Sequence, residues 1–207
     1  HLTRLLRLCE SEIARREGDE ERLRLAHYYR DHIGTLRERY LHEYGRDIVS
    51  RYRDLPDTGP LEIVTCCATH GFLPLMNGHM PAMRAQIAVA VAHYRERFGR
   101  TPRGIWLAEC GYTPGVERLL ADEGIEYFFV DTHGLAFAEP RPRYGVFAPV
   151  ATDAGVAAFG RDLETSHQVW SAETGYPGDP VYREFYRDLG WDLDLEDVRP
   201  YLGEHGF

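Results

Sequence analysis

No stretch of the sequence approaches the ~18–20 consecutive apolar residues that a membrane-spanning helix requires, so no membrane partner is expected. An apolar signal-peptide core is missing as well, because the chain opens with a charged amphipathic segment. Basic residues are in deficit: 24 Lys and Arg stand against 33 Asp and Glu, a formal charge of −9. With no basic surplus to displace counterions from a phosphate backbone, nucleic acid is not an expected partner. The local basic run from Arg4 to Arg24 is interleaved with Glu10, Glu12, Glu17, Asp19, Glu20 and Glu21, and reads as a solvated helix face. Cysteine is scarce, and Cys9, Cys66, Cys67 and Cys110 show no C-x-x-C spacing, which argues against zinc-knuckle and thioredoxin chemistry. The adjacent Cys66 and Cys67 read as small buried hydrophobes on opposite sides of a strand, and a reducing cytoplasm suits such usage. No Walker loop and no G-x-G-x-x-G occurs, so nucleotide binding has no support. H-x-H and H-E-x-x-H are also missing, which weakens a metal reading.

What is present points to an α/β fold. The 207 residues suffice for a sizeable core, and one domain is the expectation. The chain begins at His1 without a methionine and ends at Phe207 soon after a helix-like run and a loop, and reads as a piece of a longer polypeptide. Its first ~55 residues carry helical periodicity. Leu2, Leu5, Leu6, Cys9 and Ile13 form one stripe, and Leu23, Ala26, Ile33, Leu36 and Tyr40 continue it beyond Gly18-Asp19. Gly45 ends that run, Asp47 caps a shorter helix, and the cluster Pro56 to Pro60 closes the helical region. Next come a strand over 61–67, a helix over 80–98, a strand over 105–108, a helix over 114–123 and a strand over 127–130. That alternation predicts βαβ units in a parallel sheet, preceded by a helical segment. Val146–Val150 and Val156–Phe159 are two further candidate strands, and Asp179-Pro180 opens a helix through Leu189. The long helix is expected to bury Met83, Ile87, Ala90, Val91 and Tyr94.

Chemistry-bearing residues gather at the predicted strand ends. Gly104-Ile105-Trp106-Leu107-Ala108-Glu109-Cys110-Gly111-Tyr112 reads as an apolar strand that meets a carboxylate and then a glycine turn. Thr113 and Pro114 then supply an N-cap and a first-turn proline. A glutamate leaving a buried strand loses hydration unless partners hold it, and the carboxyl end of a parallel strand is where catalytic groups are placed. The plain alternative is a strand-end glutamate paired with an arginine. Thr69-His70-Gly71 and Thr132-His133-Gly134 echo one another, each directly after a strand. His70, Glu109, Asp131 and His133 thus sit at the ends of three successive strands about 4.8 Å apart, able to share one cleft. Each histidine alone is equally a loop residue bonded to backbone. Together, such a set suits metal-assisted chemistry or two-carboxylate glycoside chemistry. Thirteen tyrosines, nine phenylalanines and three tryptophans favour sugar, because rings stack on sugars, although each can equally fill a core gap. Trp170 and Tyr176 flank Ser171 to Gly175, and Trp191 follows Gly190.

Three segments resemble glycoside hydrolase family 57: Ala68-Thr69-His70-Gly71-Phe72-Leu73-Pro74, Trp106-Leu107-Ala108-Glu109-Cys110-Gly111-Tyr112, and Gln168 to Asp179 with its extension Tyr182 to Asp188. Within the family the likeness is to its 1,4-α-glucan branching enzymes, and it runs in order over nearly the whole chain. The resemblance implies part of an incomplete (β/α)7 barrel acting on α-1,4-glucans by a retaining mechanism, without a cofactor. Residues 1–55 would be a helical insertion, 60–160 the βα core and 161–207 a helical and loop region. Glu109 matches the family nucleophile, and His70 matches a histidine near the cleaved sugar. Trp106, Tyr112, Asp131, His133, Trp170 and Trp191 are the further candidates for contact with the glucan. Two departures stand out. The family's N-terminal histidine motif has no counterpart here, and neither does its downstream general-acid aspartate, since Asp131 is too near Glu109 to match it. Hydrolysis or disproportionation of α-glucans, a metal-dependent polysaccharide deacetylase and a non-catalytic glucan-binding module are the alternative functions.

Overall fold

The computed structural model describes residues 1–55, 61–179, 181–182, 190 and 193–202. The chain divides into two compact units, one of residues 1–51 with 184–207 and one of residues 52–183. In the first, α1 (Leu2–Arg15) and α2 (Glu20–Glu38) pack together, and a π-helical turn, Arg39–Glu43, continues α2. The turn between them forms because Gly18 adopts a left-handed φ of 92° and the Asp19 carboxylate accepts the Arg22 amide at 3.2 Å. Glu20 and Glu21 in the first turn and Arg37 in the last complement the helix dipole. The predicted apolar stripe is only partly covered, with Cys9 and Ala26 buried, and the charged Glu12 is buried as well. Glu12 is tolerated there because Arg15 and Arg16 both reach its carboxylate, Arg16 at 3.1 Å. Arg15 also reaches Asp197 (3.3 Å) on the short helix Leu195–Val198, and the Ser11 hydroxyl bonds that of Tyr201. Asp47 accepts the Ser50 amide at 3.1 Å and starts α3 (Ile48–Asp54), as its position predicts.

The second unit is built on a five-stranded sheet of order β1-β2-β3-β5-β4. β1 (Thr65–Cys66), β2 (Gly104–Trp106), β3 (Tyr127–Val130) and β5 (Ala157–Gly160) are parallel, and β4 (Val150–Ala151) is antiparallel to β5. α4 (Met80–Phe98) joins β1 to β2, α5 (Val116–Asp122) joins β2 to β3, α6 (Thr132–Ala136) follows β3, and α7 (Leu163–Trp170) follows β5. Each parallel strand is laid down beside the previous one without a reversal of direction. That winding belongs to barrels, whereas doubly wound sheets turn back at a switch point.

Period-two alternation separates the two faces of the sheet. Ile105, Phe128, Val130 and Ala158 are buried with Met83, Ile87, Val91, Leu119 and Leu120. Register carries one row of this core across the sheet, with Ile105 opposite Phe128 and Phe128 opposite Ala158. Burying such side chains contributes roughly 1.5–3 kcal/mol each. The other face carries a run of rings: Trp106 on Phe129 (5.4 Å between centroids), Phe129 on Phe159 (6.0 Å) and Tyr127 on Phe159 (5.6 Å). Among the described residues no helix is long and apolar enough to cross a membrane.

Several expectations need correction. Only Thr65–Cys66 of the 61–67 run pairs as a strand, and the Ile63 carbonyl accepts the Tyr94 hydroxyl at 2.8 Å rather than a ladder amide. Gly145–Phe147 is a 3₁₀ turn rather than a strand. The following pair β4–β5 is antiparallel, since Thr152 and Gly155 (φ 79°) form a tight hairpin too short for a crossover. α5 begins at Val116 with Gly115 as N-cap, so Thr113 and Pro114 lie ahead of it. Thr132-His133-Gly134 is helical, because Asp131 caps α6 by accepting the Thr132 amide at 2.9 Å. The helix expected from Asp179 to Leu189 lies largely outside the described residues.

Candidate active site

The site is assembled where β1, β2, β3 and β5 end. After β1 the chain is clamped to α4: Gln86 accepts the Ala68 amide on its backbone carbonyl (2.9 Å) and the Thr69 amide on its side chain (3.0 Å), and donates to the Thr69 hydroxyl (2.8 Å). The His70 amide donates to the Cys67 carbonyl at 2.9 Å, which holds His70 at φ +55°. After β2, Ala108–Cys110 forms a 3₁₀ turn in which Glu109 (φ 52°) and Cys110 (φ 54°) are also left-handed. Three of the four non-glycine residues with positive φ among the described residues therefore lie at these two strand ends. Each such residue costs on the order of 1–3 kcal/mol, and the strain persists only where surrounding contacts over-determine it. The two turns touch: a Cβ on Gly111 would collide with the ring of Phe72, so only glycine allows that approach.

The result is a direct pairing of His70 Nε2 with Glu109 Oε1 at 3.0 Å. Behind it, Cys66 Sγ lies 3.3 Å from His70 Nδ1. The expectation of a desolvated Glu109 is corrected here. Its side chain is 73% exposed, because the left-handed turn swings it out of the strand line, and its partner is a histidine rather than an arginine.

Asp131 and His133 form a second pair, with Oδ2 and Nδ1 3.7 Å apart. The other Asp131 oxygen caps α6. Among the described residues no hydrogen bond or ion pair joins the two pairs, so the four residues make two neighbouring dyads rather than one cluster. Cys110 feels the charges of both Asp131 and Glu109, and Arg161 is its neighbour. The buried Cys110 thiol is pushed up by burial, opposed by the adjacent Arg161 guanidinium and reinforced by the charges of Asp131 and Glu109. Arg161 follows β5 directly. Its carbonyl accepts the Thr132 hydroxyl at 2.7 Å, and its guanidinium lies 6.0 Å from the Trp170 ring centroid.

Trp106 belongs to the ring-covered sheet face below these turns. Tyr112 stacks on Phe128 (5.6 Å, 15°) and donates its hydroxyl to Glu117 at 2.9 Å. Burial, followed by that bond, pushes the hydroxyl up to about 12. Trp170 ends α7 with 74% of its surface exposed, and Trp191 lies outside the described residues. Among the described residues no three of His, Cys, Asp and Glu gather as metal ligands. Cys66, Cys110 and Arg161 escaped the sequence reading. Arg161 was discoverable, since the rule that singled out three strand ends applies equally to β5. Cys66 carried no signal, because a thiol within an apolar strand reads as packing.

An open, mostly parallel sheet with carboxylates and histidines at its carboxyl ends has these groups where barrel-type α/β folds hold their sites. Residues 2–195 match the model of glycosyl hydrolase family 57, and the chain belongs to that family. It is 38% identical over 193 residues to the 1,4-alpha-glucan branching enzyme TK1436 of Thermococcus kodakarensis, an alignment covering 78% of this chain and 28% of that protein. Among solved structures it is similar to the alpha-amylase AmyC from Thermotoga maritima, with a TM-score of 0.87, 45% identity, and coverage of 100% of this chain and 40% of the other. The branching enzyme from Pyrococcus horikoshii gives a TM-score of 0.75 at 36% identity, covering 90% of this chain and 36% of that one. The chain thus spans less than a third of the curated relative and at most two fifths of these structures. Its sheet is part of an incomplete (β/α)7 barrel, with β4 as an antiparallel edge.

Proposed function

We propose that this chain carries the nucleophile of a retaining transglycosidase that acts on α-1,4-glucans and builds α-1,6 branches. The observation that carries the reading is Glu109: an exposed carboxylate at the carboxyl end of β2, held in a strained turn and hydrogen-bonded by His70 at 3.0 Å. In this mechanism Glu109 attacks the anomeric carbon, and a second carboxyl, about 5 Å away in retaining enzymes, protonates the leaving oxygen. A covalent glycosyl-enzyme forms, and the same acid, now a base, deprotonates the 6-hydroxyl of an acceptor glucan. No residue of this chain matches the family's general acid, so turnover is assigned to the whole protein. The His70 Nε2 proton steadies the attacking carboxylate, while Arg161, Asp131 and His133 line the neighbouring strand ends and offer donors and acceptors to sugar hydroxyls. Trp106, Tyr112, Trp170 and Trp191 are the proposed ring contacts with the glucan. A cytoplasmic setting suits the free cysteines.

Hydrolysis is the second reading, favoured by the 45% identity to a structure named as an alpha-amylase. The two differ in the acceptor and not in the nucleophile. Incubation of the whole protein with amylose, followed by linkage analysis, separates them: new α-1,6 bonds support branching, and reducing ends alone support hydrolysis. In either case Glu109→Gln is expected to lower turnover by at least about a thousandfold with the fold retained. Near-wild-type activity in that variant refutes the assignment of the nucleophile.

A further inference from the structure

We infer that Cys66 is a positioning residue for His70: its thiol donates S–H to Nδ1, which fixes the imidazole as the neutral form with its proton on Nε2, aimed at Glu109 Oε1. The inference rests on the reading of Glu109 as nucleophile and adds a residue to it.

The two distances, 3.3 Å on the Nδ1 side and 3.0 Å on the Nε2 side, give each ring nitrogen one partner. A carboxylate only accepts, so Nε2 must carry a hydrogen. Nδ1 then either carries a second hydrogen, making an imidazolium against the thiol, or keeps its lone pair and accepts S–H. Burial, opposed by a backbone hydrogen bond and reinforced by the nearby Glu109 charge, pushes the Cys66 thiol up, so it keeps a hydrogen that Nδ1 can accept, and this S–H···N arrangement is preferred to an N–H directed at a poorly accepting sulfur. The charged and titratable groups facing the ring are Cys66, from β1, and Glu109, across from the end of β2. Asp131 and Arg161 act one step further out, at Cys110.

The placement is rigid at both ends. Cys66 is in register with Trp106 across β1–β2, and the His70 backbone is fixed by Cys67 and by the Gln86 clamp on Thr69. A neutral imidazole matters for the chemistry. Attack turns the Glu109 carboxylate into an uncharged ester, so an imidazolium partner would favour the ground state and be stranded without its counter-charge afterwards. A neutral N–H dipole loses far less on that step, which is the differential stabilisation that accelerates catalysis.

The test uses the whole protein with amylose as substrate. Cys66→Ala frees Nδ1 to take a proton from water. It is expected to lower kcat about tenfold with KM changed by less than about twofold, and to move the acid limb of the kcat/KM profile up by about one pH unit. Cys66→Ser, which keeps a donor, is expected to restore most of both. Wild-type kcat and an unmoved acid limb in Cys66→Ala overturn the inference. If Glu109→Gln is inactive in the same preparation, the proposed nucleophile stands regardless; if it is active, that reading fails on its own. Should Cys66→Ala not fold, imidazole nitrogen NMR of the unaltered protein decides, with the His70 signals assigned by difference against His70→Asn. Protonation at Nε2 alone at neutral pH supports the inference, and protonation at Nδ1 refutes it.

Discussion

Tyr112 lies three residues beyond Glu109 and anchors the turn that carries it, so weakening that anchor is a quantitative probe of the site. Glu117 Oε2 accepts the Tyr112 hydroxyl at 2.9 Å and the Gly115 amide at 2.8 Å, with the residue only 9% exposed. The carboxylate also sits in the first turn of α5, where the helix dipole favours a negative charge. Glu117→Gln keeps the shape and one acceptor oxygen but converts two charge-assisted bonds into neutral ones. At about 1.5–3 kcal/mol for a bond to a charged group against about 1 kcal/mol for a neutral one, the expected destabilisation is about 2 kcal/mol. Tyr112→Phe removes a single charge-assisted bond and is expected to cost about 2 kcal/mol. The two residues share a bond, so the double variant should fall short of additivity by about 1 kcal/mol. Stability is read from denaturant unfolding. The pH dependence has a definite sign: the hydroxyl is raised from about 10 to about 12, so the fold binds that proton more tightly than the unfolded chain does. Its contribution is complete below pH 10 and is lost as pH rises through 12. Glu117→Gln leaves burial as the main cause, and the Tyr112 phenolate, read by ultraviolet difference against Tyr112→Phe, should form at lower pH. Strict additivity, together with an unchanged phenolate midpoint, would refute the account of this anchor.

Two further outcomes are expected. Leu120 is fully buried on α5 against the sheet, so Leu120→Ala should cost about 3 kcal/mol in denaturant unfolding, and a loss under about 1 kcal/mol would show that the site collapses onto the space. On the proposed two-carboxylate mechanism, in which Glu109 itself is the nucleophile, exhaustive dialysis of the whole protein against a chelator should leave glucan activity unchanged. A stoichiometric ion lost together with activity would favour the metal-dependent deacetylase reading instead.

Elements with strong periodicity were legible before any coordinates. The helix over 80–98 has the bounds its pattern predicts, and it buries Met83, Ile87, Ala90, Val91 and Tyr94, the five side chains its spacing selects. The strand over 127–130 is likewise as read, because β-branched and aromatic residues between turn signals leave little choice. The short polar stretch between the two later strands was legible and closes an antiparallel hairpin, whereas the bounds of β4 were not, since Gly145–Phe147 turns instead of extending. The strand ends called His70 and Glu109 to one place, and they meet at 3.0 Å. The left-handed turn that exposes Glu109 was hidden, because Ala-Glu-Cys carries no glycine to announce a positive φ. The placement of Cys66 was hidden for a related reason: strand alternation says which side a residue faces, not what a neighbouring loop brings to it.

The ring-covered sheet face makes the pleat itself a determinant of how the candidate site is laid out. Phe129 and Phe128 are neighbours in sequence with opposite fates, one among the rings of one face and the other in the apolar interior. Sliding β3 by a single position would exchange them, bury Tyr127 and Phe129 where space exists only for Phe128 and Val130, and turn Asp131 toward the helices. The same hydrogen-bonded ladder that joins these strands therefore also indexes the rim of the candidate site, and an insertion within 127–130 should be far less tolerable than one in the loop at 138–144.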